Sequence, residues 1–250
     1  MNQIKFYVKI LLLSIFVNGC KEDESSTPFI TASDYYPTAV GKSWTYRMDS
    51  TGPFNFGAEL ITSSYHIKDS IAADTFRDIN NRLVYTVLRF ITDTLESNPW
   101  QYQLSYTVTP TSTGLELLDD KNLRFIKLIT PVSEGKTWQG NSYIDTYSAG
   151  SLFRYLDNWN YQYQNMGGTE TIAGKTYENT ITVFQRDETS PDLPFDPEFY
   201  QQRNYSKEIY ARDIGLIYKE FLHWTWQTTP PPSRFEDDSY GITLQLLEYK

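Results

Sequence analysis

Hydrophobic and polar positions alternate with a period of two along much of this chain. In "KSWTYRMDS", Trp44, Tyr46 and Met48 alternate with Thr45, Arg47 and Asp49, the pattern of a half-buried strand. "WQYQLSYTV" places Trp100, Tyr102, Leu104, Tyr106 and Val108 on one face. "GLIYKEFLHWTWQ" does the same with Leu216, Tyr218, Leu222, Trp224 and Trp226, interrupted by Glu220. Further strands are predicted over 60–68, 83–92, 115–118, 123–130, 159–164, 180–186, 205–212 and 242–249. About a dozen strands separated by turns predict an all-β, mainly antiparallel fold, a strongly curved sheet closing into a half-barrel or barrel, with a β-sandwich as the alternative. At most one or two short helices are expected. One falls where Asp196 can cap, Pro197 takes the first helical position and "EFYQQ" follows. The Pro-rich stretches "SPDLPFDP" and "TTPPPSRFEDD" read as exposed loops.

A short motif recurs in this pattern. "PTAVGKSW" starts at Pro37 and "PVSEGKTW" at Pro131, so Pro37, Gly41 and Trp44 correspond to Pro131, Gly135 and Trp138. A phosphate-binding loop would need another glycine five positions before each Gly-Lys. Those positions hold Tyr36 and Thr130. A duplication is not supported, because the similarity ends at the tryptophan. The motif reads instead as a turn whose glycine frees the backbone, leading into a strand whose first aromatic is buried.

Composition places the chain more than it explains it. With 250 residues, 40% hydrophobic and 16% aromatic, it can bury a substantial core, and its many Tyr, Phe and Trp favour strands. Residues 1–19 have two lysines, no acid and an apolar run from Ile10 to Val17, too short to span a bilayer core of about 30 Å. They read as a signal peptide. "VNGC" then ends at Cys20, the only cysteine in the chain, which excludes a disulfide framework. This stretch resembles the lipobox of bacterial lipoproteins, and the "KEDESS" after it resembles the acidic export signal of Bacteroidota surface lipoproteins. The resemblance implies lipidation of Cys20 and an outer-membrane, cell-surface location. Acyl chains contribute about 0.8 kcal/mol per buried CH₂, so several make a stable anchor. Residues 20–34 are then a lipidated cysteine with an acidic tether, and 35–250 a single β-rich domain. The formal net charge of −9 argues against nucleic acid and against electrostatic adhesion to anionic lipid.

"YYPTAVGKSWTY", "TPVSEGKTW" and "EIYARDIGLIYKE" are similar to segments of uncharacterised bacterial lipoproteins with TapB-type domains, and more distantly to the curved-sheet lipid carriers LolA and LppX. That resemblance implies a half-barrel holding an apolar or amphipathic ligand on its concave side, within a continuous apolar cavity. It carries over no catalytic residue. His66 and His223 lie inside predicted strands, without the motif partners of a triad or zinc site. No enzyme activity and no cofactor is therefore expected. Asp192, Asp196 and Glu198 are a weak candidate for Ca²⁺, their spacing unlike an EF-hand. The remaining lead is aromatic. In "NWNYQYQN", Trp159, Tyr161 and Tyr163 share one face and Asn160, Gln162 and Gln164 the other. The aromatics are either core or, with Trp224 and Trp226, an exposed platform for a surface glycan.

Overall fold

The computed structural model describes residues 29–250. The expected signal peptide, Cys20 and the acidic run after it lie outside the described residues. Thirteen strands form one sheet: β1 (Ser43–Phe54), β2 (Glu59–Arg77), β3 (Leu83–Asp93), β4 (Gln101–Thr111), β5 (Gly114–Leu118), β6 (Arg124–Ile129), β7 (Thr137–Gln139), β8 (Asn160–Ile172), β9 (Lys175–Ser190), β10 (Gln201–Ala211), β11 (Gly215–Gln227), β12 (Arg234–Phe235) and β13 (Tyr240–Tyr249). Their spatial order is β6-β5-β4-β3-β2-β1-β13-β11-β10-β9-β8-β7, with β12 beside β11. Every pairing is antiparallel. A single sheet of this kind, nearly closed on itself, is a barrel-shaped all-β fold rather than a sandwich.

The path is a meander cut between β6 and β7. Register shifts interrupt the ladders between β1 and β13, β3 and β4, β9 and β10, and β10 and β11, and such bulges bend and twist a sheet toward closure. The two free edges are joined by a few hydrogen bonds rather than by a ladder. The Ile126 N–H donates to the Gly140 carbonyl at 2.8 Å, and the Trp138 indole N–H donates to the Ile126 carbonyl at 2.8 Å. Farther along, the Tyr163 hydroxyl accepts from the Ile129 N–H at 2.7 Å and donates to the Ile129 carbonyl at 2.8 Å. One phenol thus satisfies both backbone groups of an edge residue.

The repeated turn serves both ends of this arrangement. Gly41 and Gly135 have φ of +85° and +76°, a region open to glycine at little cost. Each donates its N–H to a neighbouring strand, to the Ile71 carbonyl at 3.0 Å and the Tyr163 carbonyl at 2.9 Å. Each tryptophan that follows spends its indole N–H on a carbonyl far along the chain: Trp44 on Ile214 at 2.6 Å and Trp138 on Ile126 across the seam.

One end of the barrel is plugged. The Asp34 carboxylate accepts from the Thr31 N–H at 2.7 Å and the Thr31 hydroxyl at 2.9 Å, winding a single helical turn, α1 (Ala32–Tyr35). This turn buries Ala32 and Tyr35. The Val132 N–H donates to the Ile30 carbonyl at 2.9 Å, so the packed body begins at Ile30, not at Tyr35 as the polar composition of 20–34 implied. The helix expected after Asp196 is absent. Asp196 holds one turn, accepting the Glu198 N–H at 3.0 Å, but Trp226 takes the Pro197 carbonyl at 3.0 Å. Gln201 already opens β10, so strand pairing overrides the local helix signal.

Replacing Tyr163 with Phe should leave both Ile129 backbone groups unpaired beside the seam. The expected loss is about 1–3 kcal/mol, with faster hydrogen exchange at the Ile129 amide. Unchanged denaturation midpoint and exchange would mean that the seam does not depend on this phenol.

Candidate ligand cavity

Side chains on the inner faces of the strands do not fill the barrel. They leave a cavity of about 370 Å³, within the roughly 300–1,000 Å³ common for small-molecule sites. Tyr36, just after α1, stands at its closed end, and Asp119, Asp120 and Lys121 in the β5–β6 turn stand at its mouth. The 3₁₀ turn Arg154–Leu156 and the start of β13 complete the rim, where the hydroxyls of Tyr155 and Tyr240 lie 3.3 Å apart.

The lining is divided. One part is apolar and aromatic: Leu104, Leu117, Phe125, Leu156, Ile242 and a column of rings, Trp159, Phe221 and Tyr240. Successive rings in the column stack with centroids 6.0 and 4.8 Å apart. The other part is charged. Asp69 holds Arg89 through two bonds of 2.6 and 2.7 Å and accepts the Tyr106 hydroxyl at 2.9 Å. Across the barrel, Glu208 accepts the Lys127 ammonium at 2.6 Å and the Tyr210 hydroxyl at 2.7 Å. The Lys219 ammonium stands 3.7 Å from the same Glu208 oxygen. The expectation of a continuous apolar cavity is therefore corrected: charges are brought into the interior, each sign facing the other.

These neighbours set the protonation states. Burial opposes the Arg89 charge, but Asp69 outweighs it and holds the guanidinium above its ordinary range. Burial likewise opposes the Glu208 carboxylate, yet Lys127 and Lys219 keep its pKa below the usual value. Lys219 has the least support. Burial pushes it down to about 8, against the pull of Glu208 and aided by Lys127 and Arg89. The phenols of Tyr106, Tyr161 and Tyr210 are raised well above 10 by burial first, so they stay neutral and donate.

The aromatic residues expected in the site are placed differently from one another. Trp159, Tyr161 and Tyr163 have 0–2% exposure and point inward, the first two into the cavity wall. They form no surface platform. Trp224 and Trp226 point away from the cavity, since Phe221 and Lys219 on the same strand line it. Phe195 and Phe235 cover them, with ring centroids 4.8 to 5.9 Å apart. The expected exposed platform is thus removed for Trp159, Tyr161, Tyr163 and the buried Trp226, while Trp224 keeps partial exposure. Asp192, Asp196 and Glu198 are all exposed and do not converge; among the described residues no cluster of three potential metal ligands exists. His66 pairs with Glu96 at 3.0 Å on the outside. His223 is buried, bonded to Asn204 at 2.7 Å and stacked on Tyr155 at 3.8 Å, which separates it from the cavity.

Sequence reasoning missed Asp69, Arg89, Lys127, Glu208 and Lys219. For two of them a signal was present. The dipeptide Lys-Glu occurs at 207–208 and again at 219–220, on either side of one turn. Antiparallel register sets Lys207 against Glu220 and Glu208 against Lys219; the first pair faces outward and the second inward. Asp69 and Arg89, likewise cross-strand partners in β2 and β3, carry no comparable mark.

No protein-family model matches the chain, and no curated protein matches it. Among solved structures, a DUF1329 family protein from Desulfovibrio piger aligns over 85% of this chain and 86% of its own, at 11% identity and a TM-score of 0.19. A likeness at that level carries no argument about the site.

Lys219 generates a prediction about stability. Its pKa is depressed from 10.5 to about 8, so its charge costs stability fully below pH 8, and the cost fades as pH rises to 10.5. Lys219→Met should therefore stabilise the protein at neutral pH by about 1–3 kcal/mol, and the gain should vanish near pH 10.5. Denaturant midpoints across that range test this. A variant less stable than wild type at neutral pH would make the Lys219–Glu208 contact a net support.

Proposed function

We propose that this protein is a cell-envelope lipoprotein that holds a small amphipathic molecule inside its barrel. The observation that carries the reading is the divided lining of the cavity: a ladder of aromatic and aliphatic side chains on one part, and buried, hydrogen-bonded charges on the other. A purely structural core would fill this space, because interiors otherwise pack to crystal-like density. A molecule with one apolar and one polar portion would match both linings at once. Binding rather than catalysis is supported by the carboxylates, since Asp69 and Glu208 are each committed to a cation and a phenol.

The envelope part of the proposal rests on the lipobox-like "VNGC" and the acidic run after it. In this reading lipid on Cys20 ties the domain to the outer membrane, on the cell surface, and the domain itself has no role in adhesion.

Two measurements test these halves separately. Native mass spectrometry of residues 29–250, which hold the whole barrel without Cys20, purified without detergent, should reveal a bound small molecule that solvent extraction removes. If added amphipathic molecules also fail to bind, the cavity has no such role. Cys20→Ser should release the protein from the membrane fraction; retention of that variant would overturn the anchor.

A further inference from the structure

The deep part of the cavity has more donors than acceptors. Three cations, Arg89, Lys127 and Lys219, face two carboxylates, Asp69 and Glu208. Both carboxylates are already occupied. Asp69 takes both arms of Arg89 and the Tyr106 hydroxyl, and Glu208 takes Lys127 on one oxygen and Tyr210 on the other. Lys219 is left 3.7 Å from the nearer Glu208 oxygen, beyond hydrogen-bond reach. Its side chain keeps 30% exposure although it points into the barrel, so the open space beside it is the cavity.

A second donor stands without a partner one row nearer the mouth. In the β10–β11 ladder, Glu208 lies opposite Lys219 and Ser206 opposite Phe221. Gln185 accepts the Ser206 hydroxyl at 2.7 Å through its amide oxygen. Gln185 is among the residues that line the cavity, and its buried Nε2 has no partner. Buried polar groups are paired in the great majority of cases, so an ammonium held only at ion-pair distance and an unpaired amide on adjacent rows call for an acceptor. At the mouth Asp119 and Asp120 outnumber Lys121, a net negative rim that disfavours an anion there. They favour the opposite orientation, in which the negative group goes deep and the apolar part lies along the Trp159–Phe221–Tyr240 column.

We propose that the cavity selects amphipathic molecules with a single anionic head, a carboxylate or a phosphate, which sits deep in the barrel on Lys219 and Gln185. This deepens the reading of the cavity as a binding site and depends on it. The excess positive charge is neutralised by the head group, and the tail occupies the aromatic wall. A neutral head of the same length would leave Lys219 only the Glu208 carboxylate that it shares with Lys127.

The test uses residues 29–250, which hold the whole barrel without Cys20, purified without detergent, with decanoate, decyl phosphate and decanol, each below its micelle or solubility limit, titrated by tryptophan fluorescence and calorimetry. At least one of the two anions should bind tenfold or more tightly than decanol; which one does identifies the head group. In Lys219→Met that preference should disappear while decanol binding is retained, and Gln185→Leu should reduce it in part. Equal binding of decanol and both anions to the unaltered chain would overturn the anionic-head proposal and leave the cavity a binder of apolar tails. Failure of all three to bind would overturn the cavity reading itself. A preference that survives in Lys219→Met would place the head group elsewhere.

Discussion

A closed sheet has no edge, and this barrel comes close to that state with side chains in place of part of a ladder. β6 and β7 follow one another in sequence and stand at opposite ends of the strand path, so everything between them must curve until they meet. The meeting is held by an indole N–H, a phenol and one backbone bond. Side chains tolerate a gap that backbone pairing does not. That spacing keeps the circumference large enough for an interior that thirteen strands do not fill.

The open interior changes the cost of charge. In a packed core, Asp69, Arg89, Lys127, Glu208 and Lys219 would each need a complete set of partners in a dry environment, and a buried pair there is close to neutral at best. Here they border a cavity and answer one another, Asp69 and Arg89 between neighbouring strands and Lys127 and Glu208 from strands apart in the sheet, at 2.6 Å in each pair. The three-to-two excess of cations is therefore kept at one point, Lys219, where the depressed pKa records the strain. The phenols around it supply neutral hydroxyls without adding charge.

Much of the architecture was legible because a barrel obeys the same period of two that the sequence displays. The stretch 83–92 is β3 (Leu83–Asp93) almost to the residue, and the alternation of Trp44, Tyr46 and Met48 is the buried face of β1. On β4 the apolar face leads inward, with Leu104 and Tyr106 in the cavity wall. The same logic fails on β11. There Trp224 and Trp226 form the outer face, packed against Phe195 and Phe235 from other segments, while Lys219 and Phe221 point inward. Alternation shows that two faces differ; it does not show which one a remote loop will cover. For the same reason the charged part of the site was invisible except where two Lys-Glu dipeptides mirror each other about a turn. The early start of the body at Ile30 depended on Thr31 and Asp34 closing a single turn, a detail finer than composition.

The plug formed by α1 also gives the molecule a direction. Ile30 and the end of β13 both lie at the closed end, where the Ser43 and Lys250 backbones pair, while the mouth opens at the β5–β6 turn on the far side. The described chain therefore begins at the base of the barrel, the end opposite the opening.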